Sequence, residues 1–462
     1  MKSNHYLTRK NRLTLFDGLT SAIRQASIKL SLKKKLWLIE AVVFILCAFT
    51  EMSNAQNLEF VHDVSNSDGF IEVIDIAVDG DDNIFVTGHF EGDQSIDFDP
   101  SSNTAIPRDA ANDAGDDSYD DIYLAKYDEH GGFLWVMAIY TRGDAHANPF
   151  IRIAGVEVDA SGNAYIAGHV NGTVGVYANY VTSGLDLLMG TSSLGNDYQQ
   201  PFLIAVDGDG NKIWSSNPLS SVTEVDVNDI AITSTQLLIA GNYGNGTPMG
   251  LPSNSAATQT NFNGYVAAFD LSDGSLSSSE RLLTSIVASS DANDVNGLEV
   301  DGSGNIYITG HFKNNTDFDP GSGNHLVDGG TSGSSYIAKY NSSFDLQWID
   351  SGYGDGKMLE LAGDGDIWAS RSDDSHVEVV ESWSSSGTKS SISLDFSFQL
   401  DEMAFDSSDD IYIVADNGAS LNGQFEKYNG TTGSQIFSHD IGANTICINA
   451  NCIGTNVMAE YL

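Results

Sequence analysis

Three observations in the sequence predict an all-β protein, a β-propeller of mainly four-stranded antiparallel blades. Six copies of a hairpin pattern recur along the 462 residues. A second strand pair follows most copies in the same order. The acidic residues are 47 Asp against only 16 Glu. Glu favours helices, whereas the short Asp carboxylate bonds nearby backbone N–H groups and favours turns.

The hairpin copies, in chain order, are IAVDGDDNIFVTGHF (77–90 region), VEVDASGNAYIAGHV (156–170), IAITSTQLLIAGNY (230–243), LEVDGSGNIYITGHF (298–312), LELAGDGDIWASRS (359–372) and MAFDSSDDIYIVADN (403–417). Each alternates apolar and polar residues, crosses a turn of Asp, Gly, Ser and Asn, and alternates again. Ile76, Val78, Ile84 and Val86 form the apolar side of the first copy. The second modules are DIYLAKYDEHGGFLWVMAI (121–139), PFLIAVDGDGNKIWSSN (201–217), GYVAAFDLSDGSLSS (264–278), SYIAKYNSSFDLQWIDS (335–351) and GQFEKYNGTTGSQIFSHD (423–440). Two adjacent hairpins alone also suit a sandwich, but six copies in fixed order favour radial repetition.

The first five copies lie further apart than the roughly 40–50 residues of a compact blade, and only the fifth and sixth are spaced within it. The excess falls between second and third strands, at about 91–120, 171–199, 244–262 and 313–334. In a propeller these connections share one face, which is where such rings usually bind. At the ends, NLEFVHDVS (57–65) resembles the outer strand FLWVMAIYT (133–141), and ICINANCIGTNVMAEYL (446–462) resembles an inner hairpin. The expectation is one propeller over 57–462 with seven blades, the seventh closed by both termini so that no sheet edge stays open. Six blades is the alternative count.

Residues 1–35 carry nine Lys or Arg and one acid, Asp17. An apolar run, LWLIEAVVFILCAFT (36–50), then leads to Ser53 and Ala55, small residues spaced for signal-peptidase cleavage before Gln56. The run is shorter than the roughly 20 residues of a comfortable membrane span, and Glu40 interrupts it. Residues 1–55 therefore read as a signal peptide with a long basic leader, the alternative being an uncleaved anchor. A secreted or cell-surface address follows, with no stable transmembrane domain after processing. The full chain has a net charge of −42, and removing 1–55 leaves 12 basic and 60 acidic residues, a net of −48. Nucleic acid is excluded as a partner, because binding it needs cationic side chains to displace counterions. Cys447 and Cys452 are the cysteines left after processing. Either a disulfide or two thiols suits them, while zinc needs more soft ligands nearby.

VTGHFEGDQSIDFDPSS (86–102), DIYLAKYDEHGGFLWVMAI and ITGHFKNNTDFDPGSG (308–323) resemble the SBBP-type β-propeller repeat of secreted bacterial proteins. The hairpin followed by DFDP and the later AKYD-x-x-G-x-x-x-W strand pair carry the likeness. DIYIVADNGASLNGQFEKYN also leans towards the NHL-type repeat. The resemblance implies an exported propeller without an assigned catalytic activity.

Three constellations bear on chemistry. VDGDDN (78–83) and VDGDGN (206–211) open like calcium loops, yet Phe90 and Pro218 stand where an EF-hand needs Glu, so they read as turns. In the DFDP segments Asp97 and Asp99 flank Phe98, and Asp317 and Asp319 flank Phe318. An extended backbone projects each carboxylate pair to one side and the Phe to the other. Paired hard oxygens suit calcium if the insertion, through Asp109, Asp113, Asp116 and Asp117, adds ligands; the alternative is a structural anchor for the loop. His89, His169 and His311 recur at one repeat position, with Asn242 in the third copy, and read as a repeated strand-end position before a metal site. Arginines are too scattered for a sialidase, and no Gly-x-Ser-x-Gly elbow or phosphate loop occurs. No catalytic residue and no cofactor other than calcium is assigned. The expected function is a monomeric, exported, non-catalytic scaffold that binds a protein or glycan through the insertion-bearing face. The alternative is a carbohydrate-active hydrolase or lyase using an acid pair.

Overall fold

The computed structural model describes residues 71–90, 96–98, 105–106, 121–142, 150–171, 173–177, 185–186, 199–218, 225–244, 262–281, 284–285, 293–372, 378–396, 399–405, 409–416, 423–441, 446–448 and 451–453. Among them are six antiparallel blade sheets in chain order, five of four strands and the first of six, each with four consecutive blade strands side by side. Blade 1 comprises Ile71–Val78, Ile84–Phe90, Asp121–Tyr127 and Phe133–Arg142. Blade 2 comprises Phe150–Val158, Ala164–Asn171, Gln200–Val206 and Lys212–Ser216. Blade 3 comprises Asp229–Ile232, Gln236–Tyr243, Asn263–Asp270 and Leu276–Arg281. Blade 4 comprises Asp294–Val300, Ile306–Phe312, Ser334–Tyr340 and Leu346–Gly352. Blade 5 comprises Asp355–Leu361, Ile367–Ser372, Glu378–Trp383 and Lys389–Phe396. Blade 6 comprises Gln399–Phe405, Ile411–Asp416, Gly423–Tyr428 and Gln435–Ile441. The architecture is an all-β propeller, and no helix occurs among the described residues.

Six blades are thus described where the sequence leads to a count of seven. Ile446–Ile448 and Asn451–Ile453 pair as a separate two-stranded hairpin, whose register sets Cys447 opposite Cys452. The strand expected at 57–65 and the leader 1–55 lie outside the described residues. Of the insertions, 313–334 is described throughout and the other three only in short pieces. Two such pieces extend blade 1: Thr173–Tyr177 pairs with Ala138–Arg142, and Leu185–Asp186 pairs with Thr173–Tyr177 in turn. The first of these covers part of an outer sheet edge that would otherwise be open.

The hairpin turns form as their residues dictate. Asp79 Oδ1 accepts the N–H groups of Asp81 and Asn83 at 3.0 and 2.9 Å, and Asp159, Asp207 and Asp301 repeat this geometry. These are self-capped Asx turns that need no cation. Burial pulls Asp79, Asp159 and Asp301 upward, yet the hydrogen bonds of their own turns outweigh it and hold each below the usual carboxylate range.

Adjacent blades are joined by side chains of the AKYD and Trp motif. Lys126 bonds Asp79 of its own blade at 3.3 Å and the Gly208 carbonyl of blade 2 at 3.2 Å. The Trp135 indole donates to the same carbonyl at 3.0 Å. In blade 4, Lys339 and Trp348 donate in the same way to Ser385 of blade 5, at 3.0 and 3.2 Å. Each ammonium also lies over a ring, Phe85 or Tyr307, at 4.6 and 4.8 Å from the centroid. Trp214 of blade 2 donates to Leu271 of blade 3 at 2.7 Å.

Candidate functional site

The recurring histidine position is a latch between blades. A β-bulge interrupts the innermost strand of five blades near the same place, and in blades 2, 4 and 6 it directly follows the residue whose N–H reaches the preceding blade. Ile153 N–H donates to His89 Nε2 at 3.4 Å, and Val295 N–H donates to Asn242 Oδ1 at 3.1 Å. His169 Nδ1 lies 3.2 Å from both the N–H nitrogen and the carbonyl oxygen of Val227. Burial, against the Val227 hydrogen bond and aided by the charges of Arg152 and His89, lowers the His169 pKa to about 4, so the ring is neutral. From blade 5 to blade 6 the same backbone position, Leu400 N–H, donates to Glu378 Oε2 at 3.0 Å. His311 lies 3.5 Å from Asp355 of the following blade. The three histidines therefore each face a different neighbour.

The DFDP segment of blade 4 is a loop anchor in its hydrogen bonding. Asp317 Oδ1 accepts from His325 N–H at 2.7 Å and from Asp319 N–H at 3.1 Å. Asp319 Oδ1 accepts from Gly321 N–H at 2.8 Å. Phe318 is fully buried, 5.1 Å from the ring centroids of both Phe312 and Tyr336, and its carbonyl accepts the Tyr340 hydroxyl at 2.9 Å. Blade 1 repeats the core of this arrangement: Phe98 is fully buried and its carbonyl accepts the Tyr127 hydroxyl at 3.2 Å. Asp97 ends the short strand Ile96–Asp97, whereas Asp99, Asp109, Asp113, Asp116 and Asp117 lie outside the described residues. Among the described residues no group of three or more His, Cys, Asp or Glu is placed to hold a metal ion.

Sequence reasoning missed a convergence of four carboxylates on innermost strands, Asp75, Glu157, Asp229 and Glu299. Asp75 Oδ2 crosses to blade 2 and accepts Val156 N–H at 2.8 Å. Gly155 leaves the space, since a Cβ there would meet that oxygen at 2.7 Å. Asp229 Oδ2 repeats the crossing from blade 3 to Leu298 N–H of blade 4 at 2.7 Å. Each of the four residues is half-buried, with its carboxyl group crowded by protein. Burial pushes Asp75 up to about 6, against the hydrogen bonds from Val156 and Ile76. Burial and, secondarily, the Asp75 charge push Glu299 up to about 7. Burial followed by the charges of Glu299, Asp75 and Asp229 raises Glu157 well above its ordinary value. Asp229 is raised by burial and by Glu299 and Asp75. Blades 1 to 4 thus direct four mutually repelling carboxyl groups into one region of the ring. The available signal was the alternation Asp75, Gly155, Asp229, Gly297 at one repeat position, together with Glu in VEVD and LEVD.

No protein-family model and no curated protein matches the chain. Similar solved structures include the Dos1 propeller, at 9% identity and TM-score 0.43 over 86% of this chain and 93% of that one. BamB from Moraxella catarrhalis aligns at 12% identity and TM-score 0.40 over 85% of this chain and 98% of that one. A protein of unknown function from Bacteroides caccae aligns at 12% identity and TM-score 0.31, over 53% and 70%. These likenesses carry no argument about what this chain binds.

Proposed function

We propose that the chain is an exported, monomeric scaffold of the SBBP-repeat type, a seven-bladed ring closed by its two ends, that binds a protein or glycan partner through its insertion-bearing face. The observation that carries this reading is the use made of the repeated polar residues. Lys126, Lys339, Trp135, Trp214, Trp348, His89 and Asn242 all bond the following blade, so the repeat's chemistry-bearing side chains hold the ring together. The test is a pull-down and glycan array with the mature protein, with and without calcium. A partner retained by the intact chain and lost when the 313–334 loop is replaced by a short turn supports the reading. Retention without that loop and without the other insertions overturns it.

A second reading, a carbohydrate-active hydrolase or lyase, is favoured by the raised carboxyl groups Asp75, Glu157, Asp229 and Glu299, since a neutral acid beside a carboxylate is the pairing such chemistry uses. Polysaccharide turnover that Glu157→Gln and Glu299→Gln both abolish, with binding intact, would establish it in place of the scaffold.

A further inference from the structure

Each blade presents a row of four side chains, one per strand, to its successor. In blade 1 the row in register is Ala77, Phe85, Lys126 and Trp135. In blade 4 it is Glu299, Tyr307, Lys339 and Trp348. In blade 3 it is Ala231, Leu238, Ala268 and Ser278. The aromatic ring, the ammonium and the indole that seal the other two interfaces are all absent from blade 3. Its first hairpin turn is also tighter, closing from Thr233 to Gln236 where blade 1 closes from Asp79 to Asn83.

A cavity of about 730 Å³ opens there, between the turns of blades 2, 3 and 4. Blade 4 refills it only in part. Blade 2 turns through Asp207–Asn211 with Gly210 N–H bonded to the Asp207 carbonyl, and blade 4 turns through Asn341–Asp345 with Phe344 N–H in the same role. A Cβ at Gly210, or at its counterparts Gly274 and Gly387, would come within 3.0, 2.5 and 2.7 Å of the preceding blade's Trp ring. Where Ser278 replaces that Trp, Phe344 replaces the glycine. It keeps the glycine's backbone, at φ 62°, and is buried against the cavity. A bulky side chain in that conformation is strained by about 1–3 kcal/mol.

The lining is mixed, with Leu238, Ile306 and Phe344 among its apolar side chains, and its free polar groups are uncharged. Ser161, Ser234, Ser278, Ser303 and Ser342 border the cavity, and among the described residues none of these five hydroxyls bonds within the protein. The Ser342 carbonyl, counterpart of Gly208, Leu271 and Ser385, has no indole to accept. No basic side chain lines the space. Asp159 and Asp301 at its edge are held by Asn163 and Tyr165, and by Asn305 and Tyr307.

We propose that this cavity is a binding site for a neutral saccharide unit. Serine hydroxyls both donate and accept, as the ring hydroxyls of a sugar require. Phe344 supplies an apolar wall, the lack of cations disfavours anions, and the volume falls within the roughly 300–1,000 Å³ of small-ligand sites. The cavity lies at the end of the blades that carries the first and third turns, opposite the second-to-third connections, so it is separate from the insertion-bearing face.

The test titrates the full purified protein with neutral glucose-, galactose-, mannose- and xylose-based oligosaccharides, by calorimetry and ligand-observed NMR. The expected result is one-to-one binding of at least one member. Ser278→Trp combined with Phe344→Gly restores the pair found at the other interfaces, fills the cavity and weakens that binding by more than about tenfold, with the urea midpoint maintained. Ser234→Ala with Ser303→Ala, which leaves packing alone, weakens it about tenfold and gives the same reading should the filled variant not fold. No binding by the parent at about 10 mM of any member overturns the proposal. Equal binding by the filled variant also overturns it, and moves the saccharide to the insertion-bearing face.

Discussion

Asp317 shows how one carboxylate holds a loop. It is buried, and its Oδ1 takes two backbone N–H groups, one from eight residues away. Asp317→Ala leaves both donors without that partner and is expected to cost about 1–3 kcal/mol. Asp317→Asn keeps an acceptor and should cost less. Urea unfolding of the two variants gives the order. With this carboxylate engaged by its own loop, the expected melting temperature is the same in calcium and in chelator at matched ionic strength. A rise that grows with calcium as RT ln(1 + [L]/Kd) would instead assign metal ligation to Asp97, Asp99, Asp317 and Asp319. The phenylalanine between each pair was legible in the sequence, because strict alternation sends it opposite its flanking aspartates. The identity of their hydrogen-bond donors was not, since His325 N–H arrives from across a short hairpin whose register alternation does not determine.

At the scale of the blade, the interface unit is Asp, Lys and Trp. The side chains of Lys126 and Asp79 are 6% and 4% exposed. Lys126→Met leaves Asp79 buried without its cation and is expected to cost about 3–5 kcal/mol. Lys339→Met should cost less, because the distance to Asp301 is 3.8 Å and that carboxylate is 18% exposed. The ratio of the two urea midpoint shifts measures the difference, and equal shifts would refute the argument. This unit was legible as a repeated motif, and the first hairpins were legible from alternation across Asp, Gly and Asn turns. The outer half of blade 5 was not. There Ser382 takes the place of the lysine and Trp383 falls on the third strand, bonded back to Asp350, while Glu381 pairs with Arg371 and Lys389. A different set of contacts closes the same geometry, so the residue pattern disappears while the strands persist. The docking of Thr173–Tyr177 on blade 1 was illegible for another reason: it is a pairing between distant segments whose register no local signal sets.

Over the whole molecule, two sets of carboxylates pull stability in opposite directions as pH changes. Asp79, Asp159 and Asp301 have lowered pKa values in the folded state, so the stability they confer is present above the unfolded value near 4 and is lost as pH falls below it. Asp75, Glu157, Asp229 and Glu299 have raised values, Asp75 about 6 and Glu299 about 7. Between pH 4 and these values the folded chain holds more protons than the unfolded one, so their contribution falls as pH rises through that window. The net charge of −42 acts in the same sense, because self-repulsion eases as carboxylates protonate. The expected profile therefore has its maximum on the acid side of neutrality, with melting temperature rising from about pH 8 to about pH 5 and dropping below about pH 4. Asp75→Asn keeps an oxygen for Val156 N–H while removing the charge, and Glu299→Gln removes a second. The double variant should be the more stable protein at pH 8 and show a flatter profile between pH 5 and pH 8, because the groups that titrate there have been replaced. A double variant with the parent's slope would mean that Asp75 and Glu299 do not carry raised values in the folded chain, and that the acid-side maximum comes from other groups.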